Sequence, residues 1–383
     1  MHLAIVASHP VQYHAPLFRA LAKRLDLTVF YGHRATMSDQ ALAGFGVGFN
    51  WDIDLLSGYK YEFLNNVSPR PGLGHFAGVD TPEIGYRLRA GNFDSVLLMG
   101  WFRKCFHQAL WSAKLHRIPV LVRGDSHLDT PRSTWKRLAK ELAYPVFLRS
   151  FNGALVVGKR NRDYWRHYHY PESRMFDSPN CVDNKWFASR ATDSARAELR
   201  ARLGIAPDTK LILFAGKLIP IKRPIDLVEA VSLVRAAGLP ATILIAGSGT
   251  MEIDVRSRAE ELGVPVHFGG FCNQTEMPSF YGAADILALP SESETWGLVV
   301  NEALACGRPV VVSDAVGCSP DIAERLGDCA VFPMGDIRAL AKSIQRIIIE
   351  PYNQAVIAST AAAFSVETAT SGVIAALSYC APA

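Results

Sequence analysis

The chain has 383 residues, 49% of them hydrophobic and 20% charged, which at roughly 150 residues per domain is enough for two domains with cores of their own. That composition excludes a disordered chain, a collagen and a disulfide-stapled miniprotein. The net charge of +4 conceals an asymmetry: residues 1–190 carry 25 Lys plus Arg against 15 Asp plus Glu, whereas residues 191–383 carry 15 against 21, so the halves are expected to do different work.

Short apolar, β-branched runs alternate with amphipathic stretches of helical length, the pattern of a parallel sheet covered on both faces. In the first half the strand candidates are 2–8, 27–32, 95–100, 119–124 and 154–158. Between them, Gly44, Gly46 and Gly48 begin a dinucleotide fingerprint but lack its third glycine. Asp52 and Asp54 form an Asp-x-Asp pair that could hold a metal; alternation from Trp51 to Leu55 instead favours the polar face of a strand. Gly153 to Arg160, GALVVGKR, misses the phosphate-loop pattern because Arg160 stands where Ser or Thr should be and its interior reads as a strand. Residues 131–150, PRSTWKRLAKELAYPVFLRS, combine Arg132, Lys136, Arg137, Lys140 and Arg149 with Trp135, Leu138, Leu142, Tyr144 and Phe147. This helix is either packed by its apolar stripe or anchored at an anionic membrane surface. No nucleic-acid module accompanies its cations, so no nucleic acid is expected as a partner.

A turn-rich stretch with one charged helix places the domain boundary near 185–205. The second half restarts the pattern, with strand candidates at 210–216, 241–247, 266–271, 285–290 and 308–314, and two helical patterns follow Pro351. The expected division is 1–190, 191–365 and a C-terminal helix, 366–383, returning to the first domain.

Seven cysteines without a CxxC pair imply thiols in a reducing compartment, the cytoplasm. Residues 1–14 lack a basic leader and a signal-length apolar run, and no run approaches the roughly 20 residues that span a bilayer.

The chemistry is expected in 290–314, PSESETWGLVVNEALACGRPVVVSD. Its helix, about 297–305, starts beyond a parallel strand, where free backbone amides and the positive dipole end suit a pyrophosphate. Glu302 lies inside that helix among Leu298, Val299, Val300, Ala303 and Leu304, where a carboxylate needs a hydrogen-bonding partner; ligand hydroxyls would serve. Glu252 and Glu260 repeat the Glu294–Glu302 spacing on a charged helix and read as a solvated face. Upstream, Gly216 and Lys217 end a strand, and Lys222 and Arg223 follow, placing cations in an otherwise acidic half where an anionic ligand would sit.

In order and spacing, GKLIPIKRPIDLVEA, IAGSGT, FGGF, YGAADILALPSESETWGLVVNEALACGRPVVVSD and PNCVDNKWF resemble the retaining glycosyltransferases of family GT4. The resemblance is strong over about 180–325 and weaker, though colinear, from residue 1. It implies the GT-B fold, α/β with two doubly wound Rossmann-like domains facing a central cleft. It also implies a retaining transfer of a sugar from a nucleotide diphosphate donor to a glycan or lipid-linked acceptor, with cell-surface polysaccharide biosynthesis as its setting. Lys217 and Lys222 resemble the basic pair that neutralises the leaving diphosphate; most members have Arg at the position of Lys217. Glu302 resembles the carboxylate on the donor ribose and Glu294 the one on the transferred sugar. Gly216, Thr295, Trp296 and the amides of Gly297, Leu298 and Val299 would complete the diphosphate site, with Gly270 and Phe271 bordering the base. The family needs no bound metal and no cofactor beyond the nucleotide sugar.

The first domain is implied to bind acceptor. The family's histidine after a strand is here displaced to His127 or replaced by Asp125; His14 and Trp101 also follow strands and are acceptor-side candidates. The setting expected is cytoplasmic, peripheral at the inner membrane face. The competing readings are a sugar-nucleotide epimerase or hydrolase, and a non-catalytic sugar-nucleotide or glycan binding protein.

Overall fold

The computed structural model describes residues 1–37, 48–129 and 133–381, so Gly44, Gly46 and Arg132 lie outside the described residues. The chain divides into two units. Among the described residues the first holds seven parallel strands: β1 (His2–Ala7), β2 (Asp26–Tyr31), β3 (Lys60–Phe63), β4 (Ser95–Leu98), β5 (Val120–Arg123), β6 (Gly153–Val156) and β7 (Met175–Asp177), in the order β3-β2-β1-β4-β5-β6-β7. The strand period of two sorts their side chains. Ala4, Val6, Val96, Leu98, Val120 and Val122 enter one core, with the helix Lys104–Leu115. Leu3, Ile5, Leu97 and Leu121 enter the opposite core, with the helix Ala15–Ala22.

That second core also buries Ala369, Val373, Ala376 and Leu377 of the helix Val366–Cys380, which belongs to the first unit. A Cβ on Gly372 would stand 1.8 Å from the carbonyl oxygen of Asp177, so glycine is what lets this helix lie against the end of β7. Ser178 fastens it, its hydroxyl donating to the Ala369 carbonyl at 3.0 Å.

The second unit runs from Val182 to Ser365. Its parallel sheet contains β8 (Lys210–Ala215), β9 (Ala241–Ala246), β10 (Val266–Phe268), β11 (Ile286–Leu289), β12 (Val310–Ser313) and β13 (Val331–Phe332), ordered β10-β9-β8-β11-β12-β13. The division therefore falls at 181/182, earlier than the 190/191 boundary read from the sequence. The charged helix placed in the linker is part of the second unit, because Arg196 donates to the carbonyls of Gly282, Ala283 and Ala284 at 2.8–3.0 Å and pairs with Asp285 at 2.6 Å.

Each sheet reverses its winding direction once, between β1 and β4 and between β8 and β11. The carboxyl ends of strands at such a switch point are where open α/β sheets hold ligands. Asp52 and Asp54 do not lie on a strand as alternation suggested. They occupy a bend, where Asp54 accepts from the amides of Leu56 and Ser57 at 2.9 and 3.1 Å, and a hydrogen bond from the Ser57 side chain, with these two amides, holds its carboxyl down at about 2. All seven cysteines are unbridged.

Candidate functional site

The switch point of the second unit collects the residues expected to carry chemistry. β8 ends at Ala215 and is followed by Gly216, Lys217 and the short turn Pro220–Lys222; β11 ends at Leu289 and is followed by Glu292, Glu294 and the helix Leu298–Ala305. The two loops are tied by the Glu292 amide, which donates to the Ile221 carbonyl at 2.8 Å. Lys222 Nζ then reaches Glu294 Oε1 in an ion pair whose side chains are 16% and 20% exposed. Partial burial lowers the Lys217 ammonium pKa, and the Lys222 charge adds to that while Glu294 opposes it. Three charges thus sense one another at this edge with a net cationic balance, the electrostatics of a site for an anion. Arg223 is not part of it, since its guanidinium pairs with Asp226 at 2.7 Å.

The helix Leu298–Ala305 begins at Gly297, whose φ of 97° is left-handed and which caps the helix without a side chain. A Cβ there would meet Val316 at 3.0 Å and Leu289 at 3.2 Å. The entry loop is pinned to the following one, the Gly317 amide donating to the Glu294 carbonyl and the Cys318 amide to the Trp296 carbonyl, both at 3.0 Å. The first-turn amides of Leu298 and Val299 are therefore held in place beside the Lys222–Glu294 pair with no capping side chain.

Trp296 corrects the sequence reading. Its indole is 4% exposed, donates to Asn301 Oδ1 at 2.9 Å and packs on Phe364, so it anchors the loop from inside and offers a ligand no side chain. Thr295 is exposed. Glu302 also differs from expectation, because the partner its carboxylate needs comes from the protein. The Tyr281 hydroxyl donates to its Oε2 at 2.6 Å. Desolvation nonetheless raises the Glu302 pKa to about 7, against the lowering effect of hydrogen bonds from Tyr281 and Gln274. Neither residue was legible as part of the site: Tyr281 lies 21 positions away on the helix Met277–Ala283, and no local spacing links them.

Backbone packing completes this edge. Gly216 (φ 151°) and Gly270 (φ 69°) adopt conformations that favour glycine, and Phe271 is half-buried. Gly247 donates its amide to the Gly270 carbonyl at 2.7 Å, and a Cβ on Gly247 would fall 1.9 Å from the Gly216 oxygen. The glycines of IAGSGT are thus required by the contact of the loops after β8 and β9.

In the first unit, Asp125 stands exposed just beyond β5, while His127 is 3% exposed with Nδ1 3.6 Å from Asp129. His127 is therefore withdrawn from the surface, and Asp125 is the one of the two presented to solvent. Trp101 is 8% exposed, stacked on Tyr164 and edge-on to Trp165; it is mainly a core residue and not a free acceptor platform. His14, at the start of the helix Ala15–Ala22, is kept well below its ordinary pKa by burial and then by Arg123 and His9, so it is a neutral imidazole at pH 7. Arg123, unremarked in the sequence, ends β5 and is buried, donating to the Pro179 carbonyl at 2.9 Å and Asn180 Oδ1 at 3.0 Å. Burial and the Asp125 charge push the Tyr13 hydroxyl up to about 12.

Residues 195–363 match the family model described as Glycosyl transferases group 1. The D-inositol 3-phosphate glycosyltransferase of Streptomyces bingchenggensis is 36% identical over 168 residues, 41% of this chain and 36% of that one. The protein of the same name from Mycolicibacterium smegmatis is 41% identical over 137 residues, 34% of this chain and 30% of that one. The matches to these curated relatives thus span about a third of their length. Among solved structures, Anabaena HepE in complex with UDP and glucose superposes with a TM-score of 0.69 at 19% identity, covering 99% of both chains. A glycosyltransferase from Rickettsia africae gives 0.74 at 14% identity, covering 99% of this chain and 98% of that one.

Proposed function

We infer that this chain, a GT4-like glycosyl transferase of group 1 with the GT-B fold, is a retaining enzyme that moves a sugar from a nucleotide diphosphate donor to a glycan or lipid-linked acceptor. The observation that carries the reading is the Lys217, Lys222 and Glu294 cluster beside an uncapped helix start at the switch point of the second unit. In the reaction the bond from the anomeric carbon to the diphosphate oxygen breaks, its electron pair leaving with that oxygen. The acceptor oxygen bonds the same carbon on the same face, and its hydroxyl proton passes to the departing diphosphate oxygen. The two lysines meet the charge that develops on the leaving oxygen, and the amides of Gly297, Leu298 and Val299 share it. Because these cations serve the diphosphate, no bound metal is required for the step.

Glu294 is assigned to the transferred sugar, positioned by its ion pair with Lys222, and Glu302 to the ribose hydroxyls, where Tyr281 already holds one of its oxygens. Acceptor binding is assigned to the first unit, with Asp125 and His14 as its nearest candidates and the cytoplasmic face of a membrane as its setting. Synthesis of cell-surface polysaccharide is the role this reaction would fill. HepE is solved with UDP and glucose, and the curated relatives are named for D-inositol 3-phosphate, so UDP-glucose and that phosphate belong in the donor and acceptor panels.

The test is a thermal-shift screen of nucleotide diphosphate sugars, followed by transfer assays with the anomer of the product read by NMR. A donor-specific shift and a product of retained configuration are expected. Inverted product, or transfer unaffected by Lys222→Ala and Glu294→Ala, overturns the assignment.

A further inference from the structure

The helix Thr134–Leu148 is held to the first unit by one side only. Leu148 is buried, and Tyr144 and Phe147 pack on Tyr168 and Phe151 with ring centroids 5.2 and 5.5 Å apart. Trp135, Leu138, Leu142 and Val146 are spaced so that they share another face, and all four are exposed, from 53% to 77%. An apolar stripe left in water on a helix marks a surface that meets something.

The stripe borders a groove of about 940 Å³ in the same unit, walled by Phe76, Trp101, Phe102 and Trp135. Phe76 and Phe102 are themselves 46% and 62% exposed. Among the described residues, the ionisable groups on the walls are Lys136, Lys140, His107 and Tyr144, with no carboxylate. Lys140 lies 4.3 Å over the Tyr144 ring, and its stem runs along the aromatic wall. Arg137 on the same helix and Arg149 just past its end add exposed cations, against Glu141.

We propose that this face is a docking surface for an anionic phospholipid leaflet, with Trp135, Leu138, Leu142 and Val146 seated at the headgroup boundary, the aromatic groove admitting a lipid chain, and Lys136 and Lys140 meeting lipid phosphates. The charge pattern selects this occupant: cations flank a hydrocarbon-lined groove, as an interfacial helix on an acidic leaflet requires. An acidic protein partner would satisfy the lysines and leave the aromatic walls without a complement. Contact of this kind is peripheral, since among the described residues no helix is long and apolar enough to cross a membrane. The inference deepens the acceptor assignment above but is read by binding alone, so it can fail or hold independently of sugar transfer.

The experiment is co-sedimentation of the full chain with vesicles of phosphatidylcholine, with and without phosphatidylglycerol, at low and high salt. Binding to the anionic vesicles that weakens with salt is expected. Lys136→Ala with Lys140→Ala lowers the partition coefficient roughly 25-fold, at about fivefold per cation, and Leu138→Ser, Leu142→Ser and Val146→Ser together lower it at least about tenfold. Glu294→Ala leaves it unchanged. Absence of binding, equal binding to neutral vesicles, or unchanged binding by the lysine pair overturns the proposal. So does a dimer by light scattering that the serine variant dissociates, because the stripe would then belong to a second copy.

Discussion

Lys222 and Glu294 occupy one ion pair yet have separate assignments, and single substitutions distinguish them. On the assignment proposed above, Lys222 offsets charge on the leaving diphosphate, so Lys222→Ala is expected to lower kcat about 100- to 1000-fold, the size typical of losing one preorganised electrostatic partner. Glu294→Ala should instead act on the sugar, reducing kcat/KM for transfer while affinity for the nucleotide diphosphate itself, measured by calorimetry, changes little. Glu302 adds a pH signature. Its folded pKa, about 7, exceeds the ordinary 4.5, so its contribution to stability is fully present below about 4.5 and is lost as pH rises through 7. The cost by pH 8 is on the order of 3 kcal/mol, and Glu302→Gln should flatten that part of the profile in urea unfolding. Ribose hydroxyls would donate to the ionised form, so nucleotide affinity should rise with pH across the same range in the unmodified protein and stay flat in Glu302→Gln. The position of Glu302 could be read from its apolar neighbours in the chain; its partner Tyr281 could not, because sequence separation says nothing about which helix faces which.

Among the elements, buried strands were the most legible. All ten strand candidates appear, each within a few residues of its expected ends, since a strand covered on both faces is a continuous apolar run. The three that escaped notice, β3, β7 and β13, lie at sheet edges and are four, three and two residues long; KYEF is largely exposed and carries no such run. The reading of Asp52 and Asp54 as strand residues failed because alternation over five residues also fits a bend whose carboxylate accepts backbone amides. Loops at the site depend on glycine for two separate reasons, the left-handed φ at Gly297 and the backbone contact at Gly247. Gly247→Ala should lower stability by about 2 kcal/mol or more, since its methyl group would collide with the Gly216 carbonyl. The check is urea unfolding of the second unit, with nucleotide binding weakened in parallel.

At the scale of the whole molecule, the C-terminal helix crosses from the end of the second unit to complete the core of the first. Truncation after Ser365 would uncover Ala369, Val373, Ala376 and Leu377 and the sheet side chains they cover, so the first unit should unfold at lower denaturant while the transition of the second is unmoved. Nucleotide sugar should do the opposite, stabilising the second unit by about 2.7 kcal/mol at 100 times its Kd and leaving the first where it was. The sequence by itself determined the two α/β units, the positions of their buried strands and the segment bearing Lys217, Lys222, Glu294 and Glu302, because hydrophobic period and loop position are local properties of a chain. The tertiary structure decided which of the named side chains are presented. Trp296, Trp101 and His127 turned inward, Asp125 turned outward, Tyr281 joined Glu302, and an apolar helix face was left uncovered. Those outcomes depend on packing between segments distant in sequence, where a side chain's direction is fixed by neighbours that no local pattern names.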